Sequence, residues 1–181
     1  DLTLNIYDSK TIWWDEGLWL IDQSRLPVEL RPIKMASLKE LLEAINTLQI
    51  RGAPALGAAG AYGIALAARL SPSDNPFQLL KEMETAGQMI KRARPTAINL
   101  SWGVDRALKA ASTQDTAQAI REAAIREAEL ISEEDIAINK MLGQKGALLL
   151  DDGDRVLTHC NAGRLACVGW GTALGVIRSA I

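Results

Sequence analysis

Ala53-Pro54-Ala55-Leu56-Gly57-Ala58-Ala59-Gly60-Ala61-Tyr62-Gly63-Ile64-Ala65-Leu66-Ala67-Ala68, held between Arg51 and Arg69, is the most apolar run of the chain. It falls short of the roughly 20 residues that a membrane span needs, and it is rich in Gly and Ala rather than Leu and Ile. The run reads instead as a helix buried in protein. Pro54 suits its first turn, where the missing N–H costs nothing. Gly57, Gly60 and Gly63 recur at every third position and give one side of the helix a stripe without side chains. Another backbone can pack closely against such a stripe, and close helix packing is the favoured reading of the three glycines.

Working back from this helix, Ser37-Leu38-Lys39-Glu40 fits a capping box. Leu38, Leu41, Leu42, Ile45 and Leu48 follow at helical spacing. Upstream, Thr11-Ile12-Trp13-Trp14 and Leu18-Trp19-Leu20-Ile21 flank Asp15-Glu16-Gly17, a hairpin signal. Pro27 and Pro32 keep the next segment extended or irregular.

Working forward, Ser71-Pro72-Ser73-Asp74-Asn75-Pro76 is a loop by composition. A helix over 76–91 carries Leu80, Met83, Gly87 and Ile90 on one face, and Arg94-Pro95-Thr96 breaks it. A further helix should hold Leu100, Val104 and Leu108. Residues 115–142 read as a long helix whose inner face is Ala117, Ile120, Ala124, Ala128 and Ile131. Asp135 interrupts that face before Ile138 and Leu142 resume it, and nothing in the sequence accounts for the interruption.

The pattern changes at Gly143–Gly146. Residues 155–160 read as a short buried strand, Asn161-Ala162-Gly163 as a turn, and 164–181 as a helix. A β–turn–α unit is the usual opening of a doubly wound domain. One strand and one helix cannot bury their own faces, so this second domain reads as cut short. The expected fold is therefore an α+β N-terminal domain over 1–147, a small antiparallel sheet plus a helical bundle. The first β-α unit of a Rossmann-like α/β domain follows over 148–181.

The composition excludes several function classes. Of 181 residues, 48% are apolar and 23% charged, as in a globular protein with a real core. The 20 basic and 22 acidic residues leave a net charge of −2, which gives a nucleic-acid backbone no basic surplus to meet. Two cysteines, Cys160 and Cys167, are too few for a disulfide scaffold or a four-ligand zinc site, and a single histidine, His159, excludes a His-rich metal site. The N-terminal residues have neither a basic start nor a long apolar run, so no signal peptide is expected. The expected compartment is the cytosol, where free thiols are ordinary.

Three segments concentrate the chemistry. Arg51-Gly52-Ala53-Pro54 precedes a helix whose free N–H groups attract anions, with a guanidinium alongside; spacing alone leaves Arg51 equally open to a merely solvated role. Arg94-Pro95-Thr96, stiffened by proline, offers a second anion clamp, although most loop arginines are only solvated. In Thr158-His159-Cys160-Asn161-Ala162-Gly163, Cys160 falls at the carboxyl end of the expected strand and beside a helix start. Ligands bind at that place in α/β sheets, and a helix start favours a thiolate there. The bland alternative is a buried cysteine acting as a small hydrophobe. His159 points to the opposite side of a strand from Cys160, so a structural histidine is favoured over a catalytic dyad. Cys167 reads as packing within the last helix. There is no P-loop or dinucleotide fingerprint.

Taken in order, these segments resemble the methylthioribose-1-phosphate isomerase family. Asp22-Gln23-Ser24-Arg25-Leu26-Pro27 and Gly171-Thr172-Ala173-Leu174-Gly175-Val176-Ile177 add to the resemblance, which covers essentially the whole chain. The wider family includes ribose-1,5-bisphosphate isomerases and the regulatory subunits of the translation initiation factor 2B exchange complex. The resemblance implies a cofactor-free aldose–ketose isomerase of methionine salvage that converts 5-methylthioribose 1-phosphate to 5-methylthioribulose 1-phosphate. It implies a substrate-binding role for Arg51, Gly52, Ala53 and Arg94, and a catalytic role for Cys160. It further implies a homodimer, a protein about twice as long, and a catalytic Asp followed by Asn-Lys beyond Ile181. The chain alone is then expected to be inactive. Arg164, where a small residue is usual, and Cys167, where Thr is usual, depart from the pattern. Two other readings stand beside it: an isomerase of ribose 1,5-bisphosphate or a 5-deoxypentose phosphate, and a non-catalytic regulatory subunit. Neither nucleic acid nor membrane is an expected partner.

Overall fold

The structure, a computed structural model, describes residues 9–181; the signal-peptide reading falls on residues outside that range. Three short strands, β1 (Ile12–Trp14), β2 (Leu18–Ile21) and β3 (Pro32–Met35), form an antiparallel sheet in the order β1-β2-β3. The hairpin turns at Glu16 and Gly17, both at positive φ. Alternation decides the faces: Ile12, Leu18 and Leu20 are fully buried, while Trp13 stacks on its cross-strand partner Trp19 on the other side at 6.2 Å.

Six helices follow: α1 (Leu38–Asn46), α2 (Ala53–Leu70), α3 (Pro76–Ala93), α4 (Ile98–Ala111), α5 (Ala117–Ala147) and α6 (Ala173–Ala180). Ser37 Oγ accepts the Glu40 N–H at 3.2 Å and caps α1 as expected, while the Glu40 carboxylate takes the Ala36 N–H at 2.9 Å, one residue earlier than the motif anticipates. Leu48 lies past the end of α1, at positive φ and exposed, so it does not continue the apolar face. Asn75 and Thr116 cap α3 and α5 through their side-chain oxygens.

Helix α2 is the centre of the bundle, with 13 of its 18 residues buried. By length and composition it could cross a membrane; here its apolar sides face α1, α3, α4 and α5. The small-residue stripe has the role expected of it. A Cβ on Gly60 would collide with the Leu100 carbonyl of α4, and one on Gly103 of α4 would collide with the Gly57 carbonyl. Gly63 instead faces the side chains of Ile90 and Leu41.

Helix α5 runs uninterrupted through Gly143 and Gly146, where the sequence reading has it ending. At 1.5 Å per residue its 31 residues span about 46 Å. The two glycines serve packing: a Cβ on Gly143 would meet Ser179 and Gly175, and one on Gly146 would meet Val176, all on α6. The expected inner face is buried from Ala117 to Ile131. Arg106 of α4 pins α5 from outside, with Nε 2.5 Å from Glu127 and two nitrogens on the Glu134 carboxylate.

Residues 155–160 form no strand, and 164–181 do not form one helix. A strand needs a neighbour to bond its backbone, and none pairs with 155–160 among the described residues. Leu157 is 96% exposed, not buried as a strand core would require. The expected final helix becomes a 3-10 turn at Arg164–Ala166, a bend, and then α6. The bend is imposed by partners outside the helix. Val168 N–H goes to Asp135 Oδ2 of α5 at 2.7 Å, and Val168 C=O accepts from Thr11 N–H at 2.9 Å. Trp170 and Gly171 both take positive φ, and a Cβ on Gly171 would run into Gly163 and Arg164.

Candidate functional site

Helix α2 opens without a side-chain cap. Its N-cap is Gly52 at φ 97°, so no side chain caps the first-turn N–H groups of Ala53 and Ala55, and Pro54 between them has none. Glycine is required at 52 twice over. Its φ lies in the left-handed region, and a Cβ there would strike the Ala166 carbonyl of the 3-10 turn. The α2 start and the 164–166 turn are thus pressed together.

Arg94 is delivered by the end of α3. Pro95 stops that helix, and the Arg94 carbonyl accepts the Ala97 N–H at 3.0 Å, which turns the chain into α4. Cys160 arrives on the loop before the 3-10 turn, exposed and at φ 67°. It is not at a strand end, and the helical piece that follows is a three-residue turn, so the expected thiolate-favouring helix start is not what lies beside it. His159 is exposed next to it, where a structural role was expected.

These pieces meet. One cavity of about 440 Å³ is lined by Arg51, Gly52, Ala53, Arg94 and Cys160, together with Cys167 and Thr172. Gly52, Ala53 and Arg94 also border an adjoining hollow of about 390 Å³ that reaches Thr96 and Asn99. All five residues singled out from the sequence therefore face one space, although residue 51 is 109 positions before residue 160.

The other quoted motifs hold this space in shape. Asp22 Oδ1 accepts from Ser24 N–H and Oγ–H, and Gln23 Nε2 donates to the Leu165 carbonyl at 2.7 Å, tying the early motif to the 164–166 turn. The Ala162 carbonyl accepts the N–H groups of Thr172 and Leu174, so the Asn161-Ala162-Gly163 turn is closed by the Gly171-Thr172 motif. Arg164 is directed away from the cavity, with its guanidinium on the Ser9 carbonyl and hydroxyl.

Cys167 was missed as a site residue. It ends the 3-10 turn rather than sitting inside a helix, is fully buried, and forms part of the cavity wall. Burial first, and then the negative charge of Asp135, push its thiol up to about 12, so it stays protonated at neutral pH. The Asn139 amide is hydrogen-bonded to it and opposes the shift. The signal that could have placed it in an irregular segment is the Gly169-Trp170-Gly171 spacing just beyond it.

The described residues thus form a helical bundle capped by a small antiparallel sheet, with a cavity at the start of its central helix. The chain belongs to the initiation factor 2 subunit family, whose model matches residues 49–181. It is 54% identical over 95% of its length to the putative methylthioribose-1-phosphate isomerase of Methanosarcina acetivorans, and 44% identical over 94% to the methylthioribose-1-phosphate isomerase of Herpetosiphon aurantiacus. These matches take in 50% and 48% of those relatives, so the chain spans about half the length of the curated relatives it matches. Among solved structures, it superposes on the translation initiation factor eIF-2B subunit delta of A. fulgidus with TM-score 0.89 and 52% identity. On the 5-methylthioribose 1-phosphate isomerase of Pyrococcus horikoshii the TM-score is 0.88 and the identity 37%. The chain covers 95% and 94% of itself in these superpositions, and 51% and 48% of those structures.

Proposed function

We propose that the cavity is the part of an aldose–ketose isomerase site that binds sugar 1-phosphate, and that its substrate is 5-methylthioribose 1-phosphate. The carrying observation is the convergence of Arg51, Arg94 and Cys160 on one space at an uncapped helix start. A phosphate suits the two guanidinium groups and the free N–H groups of α2, which orient the neighbouring C1 and C2 and screen charge. Phosphate on the anomeric carbon blocks simple ring opening. A carboxylic acid must therefore give its proton to the ring oxygen while hydrogen moves from C2 to C1. Cys160 serves as the base or stabilises developing charge. The acid is proposed to come from outside residues 1–181.

This reading carries the domain assignment with it. Residues 1–147 form the first domain, and 148–181 open a second, Rossmann-like one; exposed Leu148, Leu149 and Leu157 are apolar surface suited to such a partner. The full-length protein is proposed to be a cytoplasmic homodimer.

A coupled isomerase assay on the full-length protein tests the proposal. Turnover of 5-methylthioribose 1-phosphate should exceed that of ribose 1,5-bisphosphate, Cys160→Ser should lose most activity, and the 181-residue chain alone should have none. Full turnover by the serine variant removes the thiol from the reaction. The alternative, a non-catalytic regulatory subunit, is not favoured by the isomerase names of the relatives. Sugar-phosphate binding without any turnover by the full-length protein would support it.

A further inference from the structure

The geometry points to Asp135 as a positioning residue for the cavity, one that presents the Cys160–Thr172 loop to a bound sugar phosphate through the backbone of Val168 and Gly169. The inference rests on the sugar-phosphate reading of that cavity.

Asp135 stands on the inner face of α5, where Ala128 and Ile131 precede it and an apolar residue would continue the pattern. A half-buried carboxylate is an expensive choice there: burial raises its pKa, and only hydrogen bonds pull it back. Those bonds identify its task. Its oxygens accept from Val168 N–H at 2.7 Å, from Asn139 Nδ2 at 3.0 Å and from the backbone of Gly169. Val168 is fully buried, so its N–H has no water to turn to.

The held segment connects residues of the cavity wall without lining the cavity. Ala166 and Cys167 on one side and Thr172 on the other line it, and Asn139, oriented by Asp135, bonds the Cys167 thiol. From the other flank, Thr11 Oγ1 donates to the Cys167 carbonyl at 2.5 Å. Of the charged and titratable groups around Asp135, Glu134 is committed to Arg106, Lys140 of α5 and Arg178 of α6 lie over the Trp170 ring, and the Cys167 thiol faces Asp135 itself. Asp135 is therefore the α5 group that sets this loop.

The test follows alkylation of Cys160 by iodoacetamide across pH, with and without 5-methylthioribose 1-phosphate, in the unaltered chain, Asp135→Ala and Asp135→Asn. The unaltered chain should show strong protection by the ligand. Asp135→Ala should lose it by about tenfold or more, the scale of one charge-assisted hydrogen bond, while Asp135→Asn, which still offers an acceptor to Val168, should keep most of it. Equal protection in a folded Asp135→Ala overturns the proposal. Hydrogen exchange on the unaltered chain reads the same coupling without a variant: the ligand should slow the Val168 and Gly169 amides, and unchanged exchange despite protection of Cys160 overturns it. If Cys160 gains no protection in the unaltered chain, the sugar-phosphate reading fails. The unliganded pH profile then decides on Asp135: a profile shifted in Asp135→Ala but not in Asp135→Asn supports its positioning role, and identical profiles exclude it.

Discussion

Gly60 of α2 lies against the Leu100 carbonyl of α4 so closely that no side chain fits between them. The obstacle is backbone, which cannot swing aside as a flexible side chain would. Gly60→Ala should therefore destabilise the protein despite alanine's better helix propensity, by about 1–3 kcal/mol, since overpacking outweighs a gain of about 1 kcal/mol. Urea denaturation of the variant checks this, and a stability equal to or above that of the parent contradicts it.

Two glycines at positive φ provide an internal comparison. Gly52 has both the left-handed backbone and a collision with Ala166, whereas Gly153 at φ 88° has nothing within 4 Å of the added Cβ. Gly153→Ala should cost only the conformational strain, about 1–2 kcal/mol. Gly52→Ala should cost more and, under the proposed function, also weaken sugar-phosphate binding, because the α2 start must move. Melting temperatures and calorimetric titration of the two variants separate the effects.

The two thiols should behave differently. Cys160 is exposed, whereas Cys167 is fully buried with its thiol pushed up to about 12 from an ordinary 9.0. At pH 8, iodoacetamide should modify Cys160 and spare Cys167, as peptide mass mapping will report. The raised value also has a sign for stability. The folded state holds the Cys167 proton more tightly than the unfolded state. The contribution is thus whole below pH 9 and is lost as pH rises towards 12. Between pH 9 and 10.5 the stability difference between the parent and Cys167→Ala should shrink, by at most about 1.4 kcal/mol per pH unit.

Acid should loosen the junction of α4 and α5. The Arg106 hydrogen bonds hold the Glu134 carboxyl below its ordinary 4.5. A depressed acid contributes stability above its unfolded value and loses it as pH falls through the folded one, so the effect belongs below pH 4.5. Arg106→Met should flatten the acid limb of the stability profile in that range, and an unchanged limb would mean the pair contributes nothing there.

Under the proposed function, Arg94→Lys keeps the charge and loses the planar fork. Sugar-phosphate affinity should fall by roughly tenfold or more, from the loss of a bidentate contact. Calorimetric titration measures it, and unchanged affinity would place the phosphate elsewhere.

Local chemistry made much of this molecule readable in advance. Ser37 caps its helix by a rule that involves only near neighbours, and the Gly57–Gly60 stripe announces a close helix crossing without naming α4; Asn75 and Thr116 cap by the same local rule, although the sequence reading does not mark them as caps. Local chemistry marked Cys160, a thiol before an Asn-Ala-Gly turn, but left Arg51 and Arg94 open to a merely solvated role until the family resemblance joined the three. What stayed hidden depends on partners far along the chain. Asp135 reads as a flaw in an apolar stripe until Val168, 33 residues on, is seen to need it. The alternation in Val156-Leu157-Thr158 has strand character, but a strand exists only beside another. The Gly169-Trp170-Gly171 spacing did carry a break signal inside the supposed final helix, and the apolar run around it masked that signal.

Thr11 is fully buried, and its hydroxyl and N–H both reach carbonyls more than 150 residues away, at Cys167 and Val168. A clasp between such remote points closes only after the intervening chain has condensed, because loop closure must precede the contacts that reward it. The pocket wall is then the last part of the molecule to set. During refolding, Cys167 should stay open to a thiol reagent after the helical signal has already returned.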